Sequence, residues 1–391
     1  MDFPQAAERP PMKFVFPQGY APNVALGTGN NLAMGFEAGG LYTFRALIRP
    51  LRPGRMNWRF FYWNQVDSTW DDGSQSRAGL PGGAFGIAGA WAGVCADADA
   101  PVSGARRVRF EGREQRDVEP GGQVYSDPVE LNCPEGGYIA FSWCLECAPG
   151  TAIPGTPNSQ ALCFTARGDL SARPTLSGFA PAGGEGWVAL PNLWAAERPF
   201  QARIGFLGDS ITQGCGTRPN FYEHWAARIL TQLGQTFGGW NLGLGFGRAQ
   251  DAARGESWLS KAAALDHVCV CLGVNDILQG RTAQALWADL CAIRAGLHRA
   301  NPGLRLTQFT IPPFDLEGGH LEIWRQVNGG LRDLARKGEI ELFDIAQVLA
   351  RPHPNGHLAA FGPHPDGAGG AAVCRSFMDW LTSTSKNKEE N

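Results

Sequence analysis

Up to about residue 200, apolar residues come in short alternating runs broken by glycine and proline. "YTFRALIRP", "RMNWRFFYW", "RRVRFEG", "VYSDPVEL" and "YIAFSWCLE" each read as a strand bounded by turn residues. No stretch there sustains helical periodicity. Short strands without helices predict a β-sandwich, of jelly-roll type. In "WRFFYW", alternation puts Trp58, Phe60 and Tyr62 on one face and Phe61 and Trp63 on the other. One face must then be core, and the aromatic run Trp58 to Trp70 raises the alternative of a platform that stacks on sugars. The segment "PAGGEGWVALPNLWAAERPF" reads as a linker or as surface between domains.

From residue 203 the pattern changes. The apolar strands "RIGFLG", "GWNLGLG", "HVCVCLG", "LRLTQFTI" and "EIELFDI" alternate with helical segments. "FYEHWAARILTQL" and "AQALWADLCAIRAGLHRA" carry apolar residues three and four apart, the spacing of one helix face. Such alternation predicts right-handed crossovers and a parallel sheet covered on both faces, with ligands bound beyond the carboxyl ends of its strands. The closing "TSTSKNKEEN" reads as a frayed terminus.

Composition narrows the picture. At 391 residues the chain is long enough for two domains, placed here at 1–198 and 199–391. With 43% apolar and 18% charged residues it is globular. A net charge of −3 and a pI near 6.2 give no basic footprint for nucleic acid. No apolar run approaches the length that spans a bilayer, and the N-terminus has acidic residues and prolines instead of a secretory core. The chain is therefore expected in the cytoplasm, with its ten cysteines as thiols. Cys144 and Cys147 have the spacing of half a metal site but no second pair, and Cys269 and Cys271 alternate inside a strand as small core residues. Neither a metal nor a cofactor is expected.

The chemistry-bearing residues fall at the predicted strand ends. "FLGDSITQGCG" puts Ser210 directly after the first strand of the second half, where it is either a helix cap or a displayed nucleophile. Its own backbone N–H can donate to an anion. Gly245, Phe246 and Gly247 follow the second strand, and Asn275, whose amide can donate, follows the third. His364 stands just before the last helix, placed to act as a base, whereas His353 and His357 upstream read as loop or substrate-lining residues. Asp209 reads as a buried residue that fixes the turn, and Asp276 as support for its local backbone.

Taken together, "GDSITQG", a glycine-rich turn, "GVND" and "HP" before the final helix resemble the SGNH (GDSL-like) hydrolases. The resemblance covers roughly residues 203–385. It implies a flavodoxin-like three-layer α/β/α domain, Ser210 as nucleophile and His364 as general base. It also implies an oxyanion hole built from the Ser210 N–H, one N–H of residues 245–247 and the Asn275 side chain. The upstream region is similar to the β-domain that precedes the hydrolase in some bacterial members.

Two positions depart from the family. An Asp usually stands three residues before the His, and here that residue is Phe361. Asp366 belongs to the "HP-D" turn and is a poor replacement; Asp315 and Asp344 are the other carboxylates considered. Without an acid, a backbone carbonyl orients His364 and the pair works as a dyad. Second, the family's oxyanion glycine falls at Phe246. The expected activity is a serine esterase acting on a short acyl ester, preferably acetyl on a carbohydrate. The alternatives are a lipid or thioester hydrolase, or a carbohydrate-binding protein on the hydrolase scaffold.

Overall fold

In the computed structural model, the residues described are 13–68, 77–157, 159–182, 186–350 and 358–389, with side chains described to residue 384. Trp70, His353 and His357 lie outside them.

The first half forms antiparallel sheets. In one, the strand Gly54–Trp63 pairs with Leu193–Glu197 on one side and with Gln123–Tyr125 and Val129–Cys133 on the other. Tyr20–Pro22 extends this sheet beyond Leu193–Glu197. In the other, Tyr138–Cys147 lies between Gly40–Ile48 and Phe85–Cys95. Alternation along Gly54–Trp63 sends Phe60 and Tyr62 into the space between these sheets, where their rings meet Phe141 at 4.5 Å and Trp143 at 5.3 Å. Phe61 faces the other way, onto Phe14, which in turn contacts Trp240 of the second half. All five aromatics from Trp58 to Trp63 are buried. Both faces of that strand are core, so these rings are not a sugar platform.

The second half is a parallel five-stranded sheet: β1 (Arg203–Gly208), β2 (Gly238–Gly243), β3 (His267–Cys271), β4 (Arg305–Phe309) and β5 (Glu341–Phe343). Their spatial order is β2-β1-β3-β4-β5, the doubly wound order that reverses beside the first strand. Helix α1 (Ser210–Gln213) follows β1, and α2 (Trp225–Leu233) leads into β2. Short α3 (Ala249–Ala252), α4 (Ser257–Ala263) and α5 (Val274–Leu278) precede α6 (Ala283–Ala300) and α7 (Gly318–Arg336). After β5 come α8 (Ile345–Leu349) and α9 (Gly367–Glu389). Phe206 of β1 packs on Trp225 of α2 and Phe377 of α9, so α2 and α9 cover one face. Helices α3 and α4 pack with α6, and α6 with α7.

The first half covers the β2 edge. Asn23 bridges Gly239 in parallel, the Trp240 indole donates to the Asn192 carbonyl at 3.0 Å, and Arg203 donates to the Tyr20 carbonyl. Every residue of β2 is buried. An edge strand of this composition, left open, would template pairing with other chains.

Local readings fail where tertiary contacts replace local signals. Leu193–Glu197, read as linker or interdomain surface, is a buried strand held between two neighbours. "VYSDPVEL" is two strands, interrupted where the Ser126 hydroxyl takes the Phe60 N–H at 2.9 Å and where Pro128 has no N–H to give. Only the start of "RRVRFEG" is strand. Phe85–Cys95, not among the strands read from the sequence, is one, and a Cβ on its Gly93 would lie 2.5 Å from Val102. Helix α2 begins at Trp225, four residues later than its periodicity suggests, because Tyr222 has a positive φ of 57°. The terminal "TSTSKNKE" is not frayed but continues α9, in keeping with the helix propensity of Lys and Glu.

Candidate active site

The site grows from the end of β1. Asp209 accepts from the Ile211 N–H at 2.9 Å, and its carbonyl accepts from Thr212 and Gln213. Asp209 thus caps α1 and leaves Ser210 as the first helical residue. Gly214, at φ 114°, stops the helix after one turn. The serine is thereby held on a short stub at the sheet's carboxyl end, not lost within a long helix.

Ser210 Oγ lies 2.8 Å from His364 Nε2, across 154 residues of sequence. His364 sits in the turn ahead of α9, and the Phe314 ring meets the imidazole edge-on at 5.5 Å. Gly216, at φ 90°, lets the chain pass under the histidine: a Cβ there would lie 2.7 Å from both the His364 Cβ and its carbonyl oxygen. Burial pushes the imidazole below its ordinary pKa.

Among the described residues, no carboxylate pairs with His364. Asp366 caps α9 through the Ala368 and Gly369 N–H groups, both at 2.9 Å. Asp344 is engaged by Arg332 at 2.7 Å and by the Thr310 hydroxyl at 2.9 Å. Phe361 packs into the core and lies against Gly369. A backbone carbonyl was expected to orient the ring, but none accepts from it among the described residues. Its fixed contacts are Ser210, Phe314 and the Gly216 backbone.

The oxyanion candidates gather opposite. Leu244 to Gly247 form a turn closed by the Gly247 N–H to the Leu244 carbonyl at 3.0 Å. That bond commits the Gly247 N–H and leaves the choice to residues 245 and 246. Phe246, third in the turn, has φ 57°, a region costing an L-residue about 1–2 kcal/mol. Asn275, buried at the start of α5, donates to the Gly247 carbonyl at 3.0 Å, and its amide has a second N–H. Asp276 accepts from the Ala249 and Gln250 N–H groups at 2.8 and 3.1 Å, supporting the backbone just past the turn. Burial raises Asp276 to about 6 and Asp209 to about 7.

Sequence reasoning missed the buried side chains that the first half sends to this turn. Asn31 donates to the Gly245 carbonyl at 2.8 Å, and Thr156 donates to Asn31 Oδ1 at 2.9 Å. Gln213 of α1 reaches Thr156 at 3.3 Å. A polar residue in a loop of a β-rich segment carries no local sign of such a role. Cys144 and Cys147 lie in the strand Tyr138–Cys147, and Cys269 and Cys271 in β3, as buried free thiols.

A strand-end serine hydrogen-bonded to a histidine, with amide donors opposite, defines a serine hydrolase. Residues 206–372 match the GDSL-like Lipase/Acylhydrolase family, which agrees with an SGNH-type serine hydrolase. No curated protein matches the chain. Solved structures similar to it include a member of the lipolytic G-D-S-L family from Veillonella parvula, 22% identical, covering 46% of this chain and 98% of that one at a TM-score of 0.39. A carbohydrate acetylesterase family member from Sinorhizobium meliloti is 21% identical over 46% of this chain and 96% of that one, also at 0.39. A family two carbohydrate esterase from Clostridium thermocellum is 14% identical, and the match covers 95% of this chain and 99% of that one at 0.39.

Proposed function

We propose that the protein hydrolyses short acyl esters through an acyl-enzyme on Ser210. The observation that carries this reading is the 2.8 Å contact between Ser210 Oγ and His364 Nε2. His364 Nε2 takes the hydroxyl proton as Oγ attacks the ester carbonyl carbon. The oxyanion forms against the Ser210 N–H, an N–H of residues 245–246 and the Asn275 amide. Collapse expels the alcohol, which takes the proton from His364. Water, deprotonated by the same nitrogen, then releases the acid. Serine and histidine act as a dyad, and the mechanism uses neither metal nor cofactor.

The substrate we favour is an acetyl ester on a carbohydrate. Phe246 is 41% exposed beside the oxyanion turn, where its ring can stack on a sugar. We assign residues 1–198 to a β-sandwich domain and 199–391 to the α/β/α hydrolase domain.

Hydrolysis of p-nitrophenyl acetate by the wild-type chain and its loss in Ser210→Ala test the reaction. A fluorophosphonate should add one label, at Ser210 alone. Acetylated oligosaccharides followed by mass spectrometry, beside p-nitrophenyl esters of rising chain length, test the substrate. Preference for long acyl chains would overturn the carbohydrate assignment.

A further inference from the structure

We infer that Asn31, contributed by the β-rich half, is a positioning residue for the oxyanion hole: its amide holds the Gly245 carbonyl and so sets where the Phe246 N–H points. The inference rests on the serine-esterase reading above.

The argument begins with the turn. The Gly245 carbonyl and the Phe246 N–H belong to one peptide plane, and in a trans peptide they point in opposite directions. In a four-residue turn this central peptide has two orientations, differing by a flip of the plane. The one adopted requires a positive φ at the third residue, which glycine or asparagine accepts readily and phenylalanine does not. Here the third residue is Phe246, at φ 57°. Left to local preference, the turn would relax to the form with negative φ. The flip would turn the Gly245 carbonyl toward the side where the Phe246 N–H had pointed, and a carbonyl oxygen repels an oxyanion.

The hydrogen bond from Asn31 Nδ2 to the Gly245 carbonyl, at 2.8 Å, opposes that flip. Asn31 is fully buried and its own amide is held, since the Thr156 hydroxyl donates to Oδ1 at 2.9 Å. Gln213 of α1 donates to that hydroxyl at 3.3 Å. Asn31, Thr156 and Gln213 are each at most 2% exposed, so water cannot substitute for these bonds. The chain of contacts runs from the helix that carries Ser210, through two residues of the β-rich half, to the turn opposite. Asn275 fixes a second carbonyl of the turn, that of Gly247.

The test uses the full chain with p-nitrophenyl acetate and a fluorophosphonate, whose tetrahedral adduct also needs the hole. Asn31→Ala should lower kcat by about 100-fold with little change in KM, and slow Ser210 labelling in parallel. Adding Phe246→Gly, which removes the penalty on positive φ, should recover at least about tenfold of that kcat without restoring any lost thermal stability. A role confined to folding would show the opposite, with Tm and active fraction moving together and no rescue. If Asn31→Ala fails to fold, Thr156→Val decides, with an expected fall in kcat of about tenfold. Ser210 labelling in the wild type together with unchanged kcat in Asn31→Ala, or failure of Phe246→Gly to rescue, overturns the inference alone. Absence of Ser210 labelling in the wild type overturns the esterase reading with it.

Discussion

Lys261 Nζ lies 2.6 Å from Asp67 Oδ2, and both side chains are 1% exposed. The pair joins the two halves of the chain. Asp67 also accepts from the Ser257 hydroxyl at 2.5 Å and from the Asn30 N–H, while Lys261 reaches Asn192. Breaking a buried pair leaves an uncompensated charge, so Asp67→Ala should destabilise the protein by about 3–5 kcal/mol, seen as a lower midpoint in denaturant. Pairing it with Lys261→Met should recover much of that loss. Independent losses that simply add would show that the pair is not coupled.

The same interface predicts the behaviour of a fragment. Expressed from about residue 200, the hydrolase half would expose β2 and Trp240, which the first half covers. It should aggregate where the full chain stays monodisperse in size-exclusion chromatography. A soluble fragment of full activity would show the β-rich half to be an independent appendage.

Asn275 supplies one oxyanion donor in the proposed mechanism. Asn275→Ala should reduce kcat by about 10²–10³, the usual loss for one such donor. Near wild-type turnover would mean that backbone N–H groups suffice.

The pH profile tests the dyad. The base must be neutral to accept the serine proton, so activity falls as pH drops through the His364 pKa. Burial lowers that pKa, and among the described residues no carboxylate faces the ring to raise it. The acid limb of kcat/KM should therefore lie below the ordinary histidine value of about 6.5. A limb above 7 would reveal a carboxylate partner. Asp366→Ala should leave the limb in place and cost about 1 kcal/mol, because this residue caps α9.

Asp209 gives a stability signature of its own. Its folded pKa, about 7, stands above the ordinary carboxylate value because the group is buried. The folded state thus holds the proton more tightly, and this contribution is fully present below about pH 4 and lost as pH rises through 7. Asp209→Asn keeps a side-chain oxygen for the Ile211 N–H and does not ionise. Its Tm relative to wild type should therefore rise between pH 5 and pH 8. A difference in Tm that does not change with pH would place the Asp209 pKa near its ordinary value.

The parallel sheet, its strand-end serine and the histidine before the last helix were legible in the sequence. Each is marked by short-range signals: apolar runs, helical spacing that matched α6 from end to end, and motif residues at strand ends. The aromatic strand was legible only in its alternation. Whether its second face met solvent depended on Phe14 and Trp240, far away in the chain. What orients His364 was not legible either, because the residues around its ring, Phe314 and Gly216, have no pattern linking them to it. Asn31, Thr156, Asp67 and Lys261 look like ordinary polar residues of loops and a helix, and only the docking of the two halves buries them. A buried polar group must find a partner, and which partner it finds is a property of the assembled surfaces. The sequence alone therefore determined the class of fold and pointed to the serine and histidine that the structure brings together. The tertiary structure decided how the β-rich half closes the sheet edge and holds the turn opposite the nucleophile.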